Sequence, residues 1–119
     1  MLVVDDAEIN RTLLRQIFSD SFEVIEAANG QAAPEKLRTR DVSIVLLDLV
    51  MPVMDGFEVL AYLRCHDTFV ELPVIAMTTQ GDHDGQARAL EMGASDFVTK
   101  PFNLRLVRRR VRDVIAQVE

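Results

Sequence analysis

A chain of 119 residues, 49% hydrophobic and 27% charged, is sized for one ordinary globular domain with a core of its own. Its net charge of −6 argues against nucleic-acid binding by this domain alone, and no run approaches the roughly 20 apolar residues of a membrane span. The single cysteine, Cys65, excludes an internal disulfide and fits a reducing cytosol, so the expected location is cytoplasmic; it reads as a small hydrophobe.

The first apolar run, Leu2–Val4, reads as a strand and ends on Asp5 and Asp6. Those carboxylates interrupt the chain before the apolar region of a signal peptide could form. Met1 already stands inside this strand, as expected of a very early start or a trimmed chain. Ile9, Leu13 and Ile17 then repeat every four residues, with Leu14 and Phe18 widening the stripe, which is helical spacing. Phe22–Glu26 reads as the second strand. Asn29-Gly30 opens the second helix, but Pro34 would break an interior turn. That helix is therefore expected from Ala33, with Pro34 in its first turn. Ile44–Leu47 is apolar at every position, as in a strand covered on both faces. A helix follows over about Gly56–Arg64, then a strand over Pro73–Met77. Asp84–Met92 reads as the fourth helix, ended by Gly93 at C′. Asp96–Thr99 is the fifth strand and Asn103–Val118 the last helix.

Alternation of this kind predicts an α/β fold, a doubly wound five-stranded parallel sheet with helices on both faces. Ligands of such sheets bind beyond the carboxyl ends of the strands. Those ends carry Asp5 and Asp6, Asp48, Thr78, and Lys100 before Pro101. Three carboxylates in a partly dry site repel, so they require a cation, and oxygen ligands suit a hard divalent ion such as Mg²⁺, for which Mn²⁺ can substitute. Lys100 and Thr78 are donors that can hold an anion from the other side. An anion brought beside a carboxylate between metal and ammonium describes phosphoryl transfer to Asp48. Each residue alone has a plainer reading: Asp5-Asp6 as a turn or helix cap, Lys100-Pro101 as a surface turn. Their joint occurrence on four strands is what points to a site. Asp48, flanked by apolar residues, is hardest to read as structural, because an unpaired buried carboxylate is costly.

Together these stretches resemble the receiver (phosphoacceptor) domain of two-component response regulators. The matching segments are Leu2–Asp6, Leu47–Gly56, Pro73–Thr78 and Gly93–Phe102, in the family's order over nearly the whole chain. The resemblance implies the flavodoxin-like strand order 2-1-3-4-5. It also implies that Asp48 accepts a phosphoryl group from a histidine kinase or histidine phosphotransfer protein. Asp6, Asp48 and the backbone carbonyl of Val50 would ligate Mg²⁺, with Asp5 acting mainly through water. Lys100 would pair with a phosphoryl oxygen across a cis Lys100-Pro101 bond, and Thr78 would turn its hydroxyl toward the same group. Phe97 matches the family's rotating aromatic, so the switch would remodel the face of helix four, strand five and helix five. Val50 and Gln80 would flank the path of hydrolytic water and tune the phosphoryl lifetime. The family is regulatory rather than enzymatic, apart from slow self-dephosphorylation, and an output domain is expected beyond Glu119.

Leu104, Val107, Val111, Val114 and Val118 form a seam in the last helix, ringed by Arg105, Arg108, Arg109, Arg110 and Arg112. The seam reads either as packing on the sheet or as a homodimer face whose arginines reach Asp96 and Glu91 of a second copy. Competing functions fit less well. A phosphatase of the haloacid-dehalogenase kind needs an acid two residues after its nucleophile, where this chain has Val50. A flavodoxin-like module needs hydroxyls and glycine after the first strand, where Asp5-Asp6-Ala7-Glu8 would repel a phosphate. A docking module that no longer takes phosphate has no reason to keep the acidic cluster, Thr78 and Lys100.

Overall fold

In a computed structural model that describes residues 1–118, strands β1 (Leu2–Val4), β2 (Ile25–Ala27), β3 (Val45–Asp48), β4 (Val74–Thr79) and β5 (Asp96–Lys100) alternate with helices. The helices are α1 (Glu8–Phe18), α2 (Ala33–Thr39), α3 (Gly56–Arg64), α4 (His83–Glu91) and α5 (Leu104–Val118). Every strand pairing is parallel and the order is β2-β1-β3-β4-β5, as expected. No helix among the described residues is long and apolar enough to cross a membrane.

Because side chains alternate across a strand, the sheet divides its apolar residues between two cores. Leu2, Val4, Val45, Leu47, Val74 and Ala76 face one side, under Leu37 of α2, Leu60 and Leu63 of α3, and Ala89 of α4. Val3, Leu46, Ile75, Met77 and Val98 face the other, under Leu14 and Phe18 of α1 and Val107, Val111 and Val114 of α5. Each fully buried Leu or Ile contributes about 1.5–3 kcal/mol from apolar area alone. This double coverage is why β3 contains no polar residue until Asp48.

The second strand begins at Ile25, later than the apolar run Phe22–Glu26 suggests. It pairs with Leu2, Val3 and Val4 of β1, and Met1 bonds the same edge, its nitrogen donating to the Glu23 carbonyl at 3.0 Å and its carbonyl accepting from the Ile25 amide at 2.8 Å. Phe22 instead turns its amide onto the Phe18 carbonyl at 2.9 Å and packs with Val24 against the α1–α5 side. The second helix behaves as predicted: Asn29 Oδ1 accepts from the Ala32 amide at 2.9 Å, a 3-10 turn spans Gly30–Ala32, and Pro34 sits in the first turn of α2. Gly93 is the C′ residue of α4, with φ of 103°.

The last helix resolves the seam. Val107, Val111 and Val114 are buried against the sheet, whereas Val118 is exposed, so the apolar stripe is mainly a core face. Asp96, one of the acids considered for a second copy, is engaged at 3.0 Å by Arg110 of its own chain. Arg105, Arg108, Arg109 and Arg112 are solvated.

One glycine fixes how closely α3 approaches the end of β3. A Cβ on Gly56 would lie 2.3 Å from the Asp48 carbonyl oxygen and 2.7 Å from Leu49 Cα, both backbone atoms that cannot swing aside. Gly56→Ala is therefore expected to lower stability by about 2–4 kcal/mol, seen as a lower urea midpoint with unchanged slope. An unchanged midpoint would mean that α3 does not pack this closely.

Candidate functional site

Parallel strands aim their carboxyl ends at one rim, and the rim collects residues from β1, β3, β4 and β5. Asp5 follows β1 directly and is fully buried. Its Oδ1 accepts from the Ala7 amide at 2.9 Å, and its Oδ2 accepts from Asn10 Nδ2 at 3.3 Å. Asp6, next in the chain, is exposed, and no hydrogen bond or ion pair engages its carboxylate among the described residues. Asp48 ends β3 with only 3% of its surface accessible. Its Oδ1 accepts from the Val50 amide at 3.2 Å. Carboxylate oxygens of Asp5, Asp6 and Asp48 all lie within 4.8 Å of one another.

Lys100 ends β5 and precedes a cis peptide bond to Pro101, as the resemblance implied. Its Nζ lies 2.9 Å from Asp5 Oδ2 and 3.3 Å from Asp48 Oδ2. One ammonium is thus shared by two buried carboxylates. The electrostatics follow from that imbalance. Burial, then the Asp5 charge, push the Asp48 carboxyl up to about 6, against the opposing pull of Lys100 and the Val50 amide. Burial by itself would lower the Lys100 ammonium, but its hydrogen bonds and charge contacts with Asp5 and Asp48 hold it above the ordinary lysine range.

The donor set fits a hard divalent cation. It is all oxygen, it carries more negative charge than Lys100 neutralises, and Asp6 has a carboxylate unengaged by protein. Asp5 is the carboxylate most occupied by protein donors, which suits a part played through water.

The other expected residues distribute unevenly. Thr78 is buried on β4, but its hydroxyl donates to Asp82 Oδ2 at 2.7 Å rather than to any member of the acidic cluster. Phe97 is half-buried and packs against the core on the α2–α4 side. Val50 and Gln80 are both exposed on the loops after β3 and β4. In the loop after β3, exposed Val53 adopts φ of 70°, which a β-branched residue disfavours.

Sequence reasoning missed three contributors. Asn10 and Arg11 lie in the first turns of α1; Arg11 Nη1 donates to the Asp5 carbonyl at 2.8 Å and fixes the end of β1. Asp82 is the third. Its Oδ1 accepts from the Gly85 amide at 3.1 Å, capping α4, and the Thr78 hydroxyl, then the Gly85 amide, hold its carboxyl below the ordinary range. An Asp immediately before a helix with acidic Asp84 in its first turn was the available signal.

A family model described as the response regulator receiver domain matches residues 1–112. Transcriptional regulatory protein SrrA of Staphylococcus aureus is 37% identical over 120 residues, covering all of this chain and 48% of SrrA. The receiver domain of NtrX from Brucella abortus superposes with a TM-score of 0.90 at 28% identity, over 97% of each chain. Chemotaxis protein CheY4 of Vibrio cholerae gives 0.88 at 28% identity, over 95% of each chain. This chain spans about half the length of the curated relatives it matches. The strand order, the rim and these likenesses agree, and the chain belongs to the response regulator receiver domains of two-component signal transduction.

Proposed function

We propose that this domain takes a phosphoryl group onto Asp48 from the phosphohistidine of a histidine kinase or histidine phosphotransfer protein. The observation that carries the reading is Asp48 itself. It is a buried carboxylate at the end of the central strand, 3.3 Å from an ammonium and clustered with two further carboxylates. Asp6, Asp48 and the Val50 carbonyl would hold Mg²⁺ or Mn²⁺, with Asp5 behind them. When bound, the cation supplies charge neutralisation for the carboxylates and the incoming phosphoryl oxygens.

The remaining roles fall to the protein. An Asp48 carboxylate oxygen attacks phosphorus; the new P–O bond forms as the donor's P–N bond breaks and its imidazole leaves with the electron pair. With its carboxyl titrating at about 6, Asp48 is mostly ionised at neutral pH and competent as a nucleophile. Lys100, already between Asp5 and Asp48, pairs with a phosphoryl oxygen. Thr78 turns its hydroxyl to the same group, Phe97 moves into the space released, and the α4–β5–α5 face is remodelled. Val50 and Gln80 limit access of hydrolytic water and so tune the lifetime.

We read residues 1–119 as a single receiver domain at the N-terminal side of a longer regulator, acting on its own or a separate output domain. The remodelled face also serves as a homodimer contact, where Leu90 of α4 and Leu106 of α5 are exposed apolar residues. In this reading the domain itself makes no direct contact with nucleic acid or membrane.

Incubation with acetyl phosphate and Mg²⁺ tests this reading. One phosphoryl group per chain is expected by intact mass, dependent on the metal and absent from Asp48→Asn. No adduct on the wild-type chain, or an undiminished adduct on the variant, overturns the assignment.

A further inference from the structure

We propose that Asp82 is a positioning residue that holds the Thr78 hydroxyl away from Asp48, so that this chain's affinity for a phosphoryl group is set by breaking the Thr78–Asp82 bond. The inference rests on the phosphoacceptor reading above.

Asp48 pairs in register with Met77 of β4, which brings Thr78 to the rim one residue beyond the level of Asp48. Thr78 is 1% exposed, and its hydroxyl carries a single proton. That proton cannot serve Asp82 and a phosphoryl oxygen at once. In this structure it goes to Asp82 Oδ2 at 2.7 Å. The chain is shaped around this contact. Gly81, at φ of 88°, turns the backbone after β4 so that the Asp82 amide returns to the Thr79 carbonyl at 3.2 Å. Gly85 leaves the space the carboxylate fills, since a Cβ there would lie 2.2 Å from Asp82 Oδ2. Asp82 Oδ1 simultaneously caps α4 through the Gly85 amide at 3.1 Å. One carboxylate therefore ties β4 to the start of α4. Release of Thr78 unties them, which links occupancy at Asp48 to the position of α4.

A competing bond in the free state lowers apparent affinity by the fraction of molecules in which the hydroxyl is already free. Asp82→Asn keeps an oxygen able to cap α4 but removes the charged acceptor. Beryllofluoride binding in Mg²⁺, titrated by fluorine NMR, is expected to tighten about three- to tenfold in this variant. Asp84→Asn removes the same charge from the exposed first turn of α4, away from Thr78, and is expected to bind as the wild type does. On a Thr78→Val background, Asp82→Asn is expected to change nothing, a result that a purely structural cap would not produce. Should the asparagine variant fail to fold, Asp82→Ser tests the same point with another good capping residue. Unchanged or weaker binding by the Asp82 variants, or equal tightening whether or not Thr78→Val is also present, overturns the proposal alone. A wild-type chain that binds no beryllofluoride overturns the phosphoacceptor reading and this proposal with it.

Discussion

Asp48→Asn is expected to stabilise the metal-free protein near neutral pH while abolishing phosphoryl acceptance. The sign follows from linkage. The Asp48 carboxyl ordinarily titrates near 3.8, but in the folded chain it is pushed up to about 6, so the native state binds the proton more tightly than the unfolded chain. Stability contributed by the protonated form is complete below about pH 4 and is lost as pH rises through about 6. Above that, an ionised Asp48 sits beside the Asp5 carboxyl with one ammonium between them. The penalty is of order 3 kcal/mol, taking about 1.4 kcal/mol per pH unit of displacement. Asparagine keeps an oxygen for the Val50 amide and leaves Lys100 to Asp5. Urea midpoints in EDTA, measured from about pH 4 to 8, should show a gain for the variant that grows with pH. A variant less stable than wild type at neutral pH would show that the Lys100 pairing outweighs burial and repulsion.

Lys100→Met is expected to produce opposite effects on stability and on metal affinity. The ammonium lies against Asp5 Oδ2 and Asp48 Oδ2, and its removal leaves two buried carboxylates without the cation that both pair with. The metal-free protein should lose about 2–4 kcal/mol near neutral pH, the usual consequence of breaking a buried pair from one side. The sign is consistent with the raised Lys100 titration: its contribution is complete below the unfolded lysine pKa, and so is fully present near neutrality. A divalent cation competes with Lys100 for the same oxygens, so the variant should bind Mg²⁺ about tenfold more tightly and recover stability as the metal is added. Beryllofluoride binding should nonetheless fall, because the donor to the anion has gone. Weaker Mg²⁺ binding by the methionine variant would mean that Lys100 orders the carboxylates more than it competes for them.

The two variants separate the roles of charge at the rim. Asp48→Asn removes a negative charge that destabilises the metal-free protein. Lys100→Met removes the ammonium that offsets the Asp5 and Asp48 carboxylates. Both leave the strands untouched, since Asp48 and Lys100 end β3 and β5 and the cores lie beneath.

Much of the fold was legible in the residues because its signals are local and periodic. An unbroken apolar run such as Ile44–Leu47 requires cover on both faces, and the helical stripes supply that cover. Asn29, Pro34 and Gly93 mark helix ends by backbone chemistry that does not depend on distant neighbours. The acidic pair, Asp48 and Lys100 were legible as a group because parallel strands bring their carboxyl ends to one edge. The late start of β2 was not legible from Phe22–Glu26, since it depends on Phe22 turning its amide back onto the Phe18 carbonyl at the end of α1. The seam in α5 was ambiguous for a related reason: apolar spacing is the same whether a sheet or a second copy covers it, and Val107, Val111 and Val114 turn to the sheet.

Thr78 marks the clearest division. Its position at the end of the fourth strand could be read from the chain, because strand periodicity and the resemblance both place it there. Where its hydroxyl proton goes could not, because that depends on an oxygen four residues away, brought back by the turn at Gly81 and admitted by the missing side chain of Gly85. The same holds for the charge on Asp48. Its residue type was written in the chain, but how hard it is to ionise was decided by burial and by the distances to Asp5 and Lys100, which exist only once the strands lie side by side.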